Sequence, residues 1–376
     1  MHISNPEEAG WLKERIETRL AFAMPDLGLR FADLTLTVSK DWQPSLHLTE
    51  VSLTPLGSGD PVTLSDVTGS FDRQAMLNGQ LRPRAITIAG ASIHLNRAAD
   101  GTFGVALGEA AERTETGGTA PEIGQNLTSL SALLDTPSFS ALRQIEGTGL
   151  TMRYEDHRSG RAWTVDGGHL VLSRDGDQLG LRGDFSLLGG HAYATTVEIG
   201  LEGAMYSRAV ALSLKVEDAP ARDIATQSAG LAWLGVLDAP ISGAIRVATG
   251  EDGTIGPLNG TLQIGAGALA PDETGDPVPF QSARSYFQYD PATLSLRFDE
   301  LSVKSAWVEA TADGRIVLDR IEGGIPGAMT GQLRLSELVA NPAGIYPNPL
   351  FLAGAEPEMR VELNPFRLEV GRPDIR

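Results

Sequence analysis

The residues that could do acid–base or metal chemistry here are six histidines and 48 carboxylates. The histidines are His2, His47, His94, His157, His169 and His191, and no two stand in the H-x-x-x-H spacing that lets one helix face grip a metal. They read as solvated or hydrogen-bonded side chains. Glu155 and Asp156 sit together in "YEDHRSG", and Asp175 and Asp177 in "SRDGDQ". Paired acids can move protons or hold calcium, but turns of an acidic chain collect them anyway. No G-x-S-x-G elbow offers a serine nucleophile. With no cysteine, thiolate chemistry, thiolate metal sites and disulfides are all excluded. Gly265, Gly267 and Ala270 match G-x-G-x-x-A, yet a dinucleotide site needs a helix to open there. Pro271 and "DETGDP" follow instead. The chain therefore reads as a non-enzyme, with no cofactor and no metal.

The elements that would carry any site are strands. The 376 residues are 41% hydrophobic and 21% charged, enough to bury a core, and 43 Gly and 22 Pro supply many turns. A formal charge of −18 argues against nucleic acid as a partner, because a phosphate backbone would be repelled. No run of 18 apolar residues is present to span a bilayer as a helix, and the N-terminus lacks a signal-peptide layout. A role outside the cytoplasm would require a targeting segment that this sequence does not carry.

Residues 5–20 predict a helix: Asn5 as N-cap, Pro6 in the first turn, Glu8 completing a capping box, and an apolar stripe of Leu12, Ile16 and Leu20. Such a helix could dock on a sheet edge or lie on a membrane surface, and docking is the expectation for it. The period then changes to two, in Leu34-Leu36-Val38, in Leu46-Leu48 and in Ile86-Ile88 with Ile93-Leu95. Residues 108–124 have no apolar repeat and read as a linker. Leu127, Leu130, Leu133 and Leu134 predict a helix near 126–145, interrupted at Pro137. A second helical piece is expected near 221–237. Alternation resumes between and after them, and Asp-Gly or Asn-Gly recurs seven times, which suggests hairpin turns. The expected domains are 1–107, the linker, and 125–376.

Alternation gives each strand one apolar and one polar face. Two such sheets could close as a sandwich, or one long sheet could curl and leave an apolar groove. Trp11, Trp42, Trp163, Trp233 and Trp307 are too dispersed to suggest a glycan site.

Three stretches carry a family resemblance. They are "LNGQLRPRAITIAGASIHLNRAADGTFGV" (77–105), "LSALLDTPSFSALRQIEGTGLTMRYEDHRSGRAWTVDGGHLVLSR" (130–174) and "LGVLDAPISGAIRVATGEDGTIGPLNGTLQIGAGAL" (234–269). Together they resemble the AsmA-like proteins of Gram-negative envelopes, in particular the YhdP- and TamB-related branch. The resemblance covers residues 77 to 320 and carries over no catalytic residue. It implies a mainly β protein: an elongated, curled antiparallel sheet of many short strands, groove-like, with a few short amphipathic helices. It also implies a periplasmic location, anchorage to the inner membrane, and movement of phospholipid between inner and outer membranes. The partners would be phospholipid acyl chains and envelope proteins. The family's transmembrane helix and C-terminal closing element are lacking, so a fragment following a missing anchor is expected. The expected groove wall is Val197, Ile199, Leu201, Val210, Leu212, Leu214, Leu294, Leu296 and Phe298. The alternative is an assembly factor for the outer membrane with a closed β core and no conduit.

Overall fold

The computed structural model describes residues 27–38, 44–55, 62–78, 82–98, 103–107, 130–189 (except 133, 138, 158 and 159), 194–340 (except 228, 271–276, 307, 323 and 324) and 361–369. The expected helix at 5–20 and the linker at 108–124 lie outside them. The chain is mainly β, with a few short helices, and its sheet structure is open rather than closed into a barrel. Two compact units divide it. The first comprises Met1–Ala192, Val197–Val210 and Glu251–Gly253, and the second Tyr193–Thr196, Ala211–Gly250 and Thr254–Arg376.

In the first unit, β1 (Leu27–Arg30) and β2 (Asp33–Val38) pair end to end along one edge of β3 (Pro44–Pro55). Strand β4 (Val62–Phe71) takes the other edge and pairs onward with β5 (Pro83–Ala89). Between them lies α1 (Arg73–Leu77), where the Asp72 carboxylate accepts the Ala75 N–H at 2.8 Å as an N-cap. Strands β5 and β6 (Ser92–Arg97) both run parallel to β8 (Gln144–Asp156), so the sheet is mixed, not purely antiparallel as expected. A parallel pair needs a long crossover. Here it follows β7 (Phe103–Leu107), which pairs with β6, and includes helical residues Leu130, Ser131, Ala132 and Leu134. The helix expected to reach Ile145 stops short of it. β-Branched Ile145 and the run Gly147-Thr148-Gly149 are poor helix formers, and Ile145 pairs instead with Ile86 and Leu172. Strands β9 (Arg161–Asp175) and β10 (Gln178–Leu188) continue as antiparallel neighbours, then comes β11 (Thr195–Ala204).

A single line of special backbone crosses these strands. Glu50 (φ 48°) lies between the register pairs Thr49↔Asp66 and Val51↔Leu64, opposite Ser65; Gly90 (φ 70°) follows Ala89, the partner of Asp66; Gly149 (φ 58°) is next to Thr148, the partner of Ala89. Across this line the inward-facing parity switches. Leu46 and Leu48 point into the core before it and Val51 after it; Ile88 does so before it and Ala91 after it. Left-handed residues at matching positions re-aim each strand together, so the core stays on one face. That core joins Phe31, Leu46, Leu48, Val51, Leu64, Ala91 and Leu150.

The second unit is a meander. Strand β12 (Val210–Pro220), which begins at the last residue of the first unit's 197–210 segment, pairs with β14 (Pro240–Ala248). Pairing then runs through β15 (Leu258–Ile264), β17 (Val278–Asp290), β18 (Ser295–Ser305), β19 (Val308–Glu322), β20 (Ile325–Ala340) and β21 (Val361–Glu369). Short β13 (Leu237–Asp238) pairs with β16 (Gly267–Leu269). The helical piece expected near 221–237 is α2 (Ala221–Ala225) followed by the 3₁₀ helix η1 (Ala229–Val236). With Ile241, Ile264, Phe280 and Ala283 these helices form the unit's core.

Several strands exceed the short lengths expected, β20 reaching 16 residues. Many Asp-Gly and Asn-Gly pairs are not turns. Asp166–Gly167, Asn259–Gly260 and Asp313–Gly314 lie inside strands. At the β9–β10 hairpin the two-residue turn is Gly176–Asp177, with Gly176 at φ 59°.

Candidate functional site

Among the described residues, several of the groups that could do chemistry are held in structural pairs. His47 Nε2 lies 2.8 Å from Asp66 across β3–β4. His169 meets Glu146 at 2.9 Å and Asp184 at 3.2 Å, on the strands to either side; these hydrogen bonds hold its pKa above the ordinary 6.5. The two carboxylates bind opposite ring nitrogens, an arrangement that cannot close on one ion. Among the described residues, no group of three His, Asp or Glu could hold a metal. Asp156 is buried, 3.9 Å from the Arg97 guanidinium on parallel β6. Its neighbour Tyr154 stacks on Trp163 at 5.4 Å, and burial pushes the phenol pKa up. Glu155 is an exposed carboxylate whose pKa a hydrogen bond from Arg153 lowers. At the G-x-G-x-x-A stretch a strand stands where a nucleotide site needs a helix. A side chain on Gly267 would strike the Asp238 carbonyl and Ala239, so that glycine serves the close pairing of β16 with β13.

What the second unit does present is an apolar sheet face. Residues directly opposite on neighbouring strands project to the same side. The registers align Leu214, Ile245, Gly260, Phe287, Phe298, Gly314 and Leu333 in one row across seven strands. A second row runs Val216, Gly243, Leu262, Ser285, Leu301, Ala312 and Leu335. A third holds Leu258, Tyr289, Leu296, Ile316 and Gly331. No formal charge stands in any of the three. The positions between them place Lys215, Arg246, Arg284, Arg297, Arg315 and Arg334 on the opposite face. There Arg334 pairs with Asp313 at 2.7 Å and Lys304 with Glu309 at 3.1 Å.

Most aliphatic and aromatic members of the rows are half-buried, and Leu214 is 40% exposed. Phe287 and Phe298 meet at 6.5 Å between ring centroids. Among the described residues, Ser285 is the one hydroxyl deep in this face, and its Oγ has no hydrogen-bond partner. At one end of the strands, α2 and η1 pack on the same side, against Ile241, Ile264, Phe280 and Ala283. Helix η1 also reaches β20.

The residues expected as groove wall divide between the units. Val197, Ile199 and Leu201 are half-buried on β11 in the first unit, where Ile199 packs over Gly183 of β10. Val210, also in the first unit, is only 3% exposed. Leu212, Leu214, Leu296 and Phe298 belong to the second unit and share its apolar face. Leu294 is the last residue of the β17–β18 turn, at φ 51°, rather than a strand residue. Sequence reading missed Phe287, Ile316, Leu333 and the small residues Gly260 and Gly314. The glycines carry no hydrophobic signal, and only the register puts them in the row.

No family model, no curated protein and no solved structure matches the chain.

Proposed function

We propose that the charge-free face of the second unit binds the acyl chains of phospholipids, and that the protein is a lipid-binding or lipid-transport element of a bacterial envelope. The observation that carries this reading is the alignment of apolar side chains in three neighbouring rows over as many as seven strands, with no formal charge in any of the three. Acyl chains would lie on that face with headgroups in water, gaining about 0.8 kcal/mol per buried methylene. The resemblance of residues 77–320 to AsmA-like proteins supports a periplasmic setting, inner-membrane anchorage and movement of phospholipid between the two membranes. Binding of this kind is non-covalent, and no enzymatic step is proposed.

Mass spectrometry of protein purified from an envelope fraction without detergent tests the reading. Co-purifying phospholipid is expected; its absence, together with no uptake of a fluorescent phospholipid, would overturn the proposal. The alternative, an assembly factor with a closed core, draws support from the first unit, whose Val51 is fully buried. Leu212→Asp, on the second unit's apolar face, separates the two. Lost lipid with the fold retained favours the binding face, whereas unfolding marks this side chain as closed core.

A further inference from the structure

The apolar face is not equivalent along its length. One end, at Ile241, Ile264 and Ala283, lies under α2 and η1. The other end, at Val247, Leu258, Tyr289 and Leu296, lies beyond them in the strand direction. From Ile241 to Val247 the strand advances about 20 Å at ~3.3 Å per residue, a distance on the scale of a long acyl chain. The helical segment is itself apolar: "AGLAWLGV" carries no charge, Leu234 is buried in the unit's core and Leu231 packs against it. Because η1 extends from the β14–β15–β17 core to β20, it lies across the face rather than along a single strand.

We infer that α2 and η1 are an end stop, so that the face takes one end of a lipid, methyl terminus first, up to a fixed chain length. This rests on the proposed lipid-binding reading and adds polarity to it. A chain entering from the Tyr289 end would lie over Phe287, Leu262 and Ser285 and end against Ala283 and η1. Tyr289 suits the entry rim, since its ring is apolar and its hydroxyl can meet the glycerol or water. A zwitterionic headgroup fits a chain of net charge −18 better than an anionic one.

The test is a series of lysophosphatidylcholines of increasing saturated chain length, titrated calorimetrically into the whole protein. Affinity is expected to rise roughly fourfold per methylene and then to stop rising at a defined length. Ala283→Leu, which adds bulk where the face meets the helices, is expected to shorten that length. Leu231→Ala, which trims the stop, is expected to extend it. A variant that merely loosens the fold would weaken binding at every length and leave the break where it was. Affinity that climbs without a break, or a break that neither variant moves, overturns the end stop alone. No binding at any length overturns the lipid-binding reading, and the end stop with it.

Discussion

Phe287 lays its ring over Gly260, its register partner on the adjacent strand, and a methyl group at position 260 would overlap the ring atoms. The missing side chain is therefore what lets this aromatic lie flat in the apolar row. Gly260→Ala is expected to displace the ring and destabilise the protein by about 1–3 kcal/mol, the usual range for overpacking. Urea denaturation followed by circular dichroism checks it; an unchanged midpoint would mean that the ring is not held there.

Ser285 carries a buried hydroxyl without a partner among otherwise apolar neighbours. Desolvating such a group costs about 1–3 kcal/mol. Ser285→Ala is expected to raise the urea midpoint with the m-value unchanged. A fall in stability would instead reveal a partner, such as water or a bound lipid oxygen.

His169 has a pKa raised first by its hydrogen bond to Glu146 and then by that to Asp184. Since the folded value lies above the unfolded one, the stabilisation is fully present below pH 6.5 and is lost as pH rises through the folded pKa. The ring is partly exposed, so solvent keeps the effect small. An NMR titration is expected to place the His169 ring above the ordinary value. Glu146→Gln combined with Asp184→Asn should bring it back down.

Leu214 and Leu46 face apolar surroundings with very different access to water, being 40% and 6% exposed. Leu214→Asp should fold normally and lose co-purifying lipid, because water can reach the carboxylate. Leu46→Asp should unfold the first unit, since it places an unpaired charge in a packed core. Thermal melts and lipid analysis of both proteins distinguish the outcomes.

Gly90 and Gly149 hold left-handed backbone at neighbouring positions of parallel strands, and a side chain on Gly90 would also press on Ser65. Gly90→Ala is expected to cost about 1–2 kcal/mol from the backbone conformation alone, visible as a lowered melting temperature. No change in melting would show that the crease tolerates an L-residue.

The period-two pattern made the strands legible, because one buried face forces alternation on a chain. Leu150-Met152-Tyr154 and Trp163-Val165 form the hairpin that their alternation predicts, with Tyr154 opposite Trp163. Pairing order was not legible: nothing local in Ile86 or Ile88 says that the partner strand begins at Gln144 and runs parallel. Asp-Gly misled at 166–167 and 313–314 because a glycine that holds left-handed backbone inside a strand, as Gly167 does, or frees space between strands, as Gly314 does, is spelled the same as one that turns the chain. The apolar face was legible in part. Leu212, Leu214, Leu296 and Phe298 announce themselves, but which strands lie side by side is fixed by register, and register depends on contacts far apart in sequence.

The parallel junction of β5 and β6 with β8 bears on how the chain is made. Ala85 waits for Gln144, almost 60 residues later, before that edge is covered. At ~5–20 residues per second, synthesis leaves it open for roughly 3–12 s. During that interval the nascent chain offers a strand edge to any passing neighbour, and shielding it on the ribosome would govern how much of the protein is recovered.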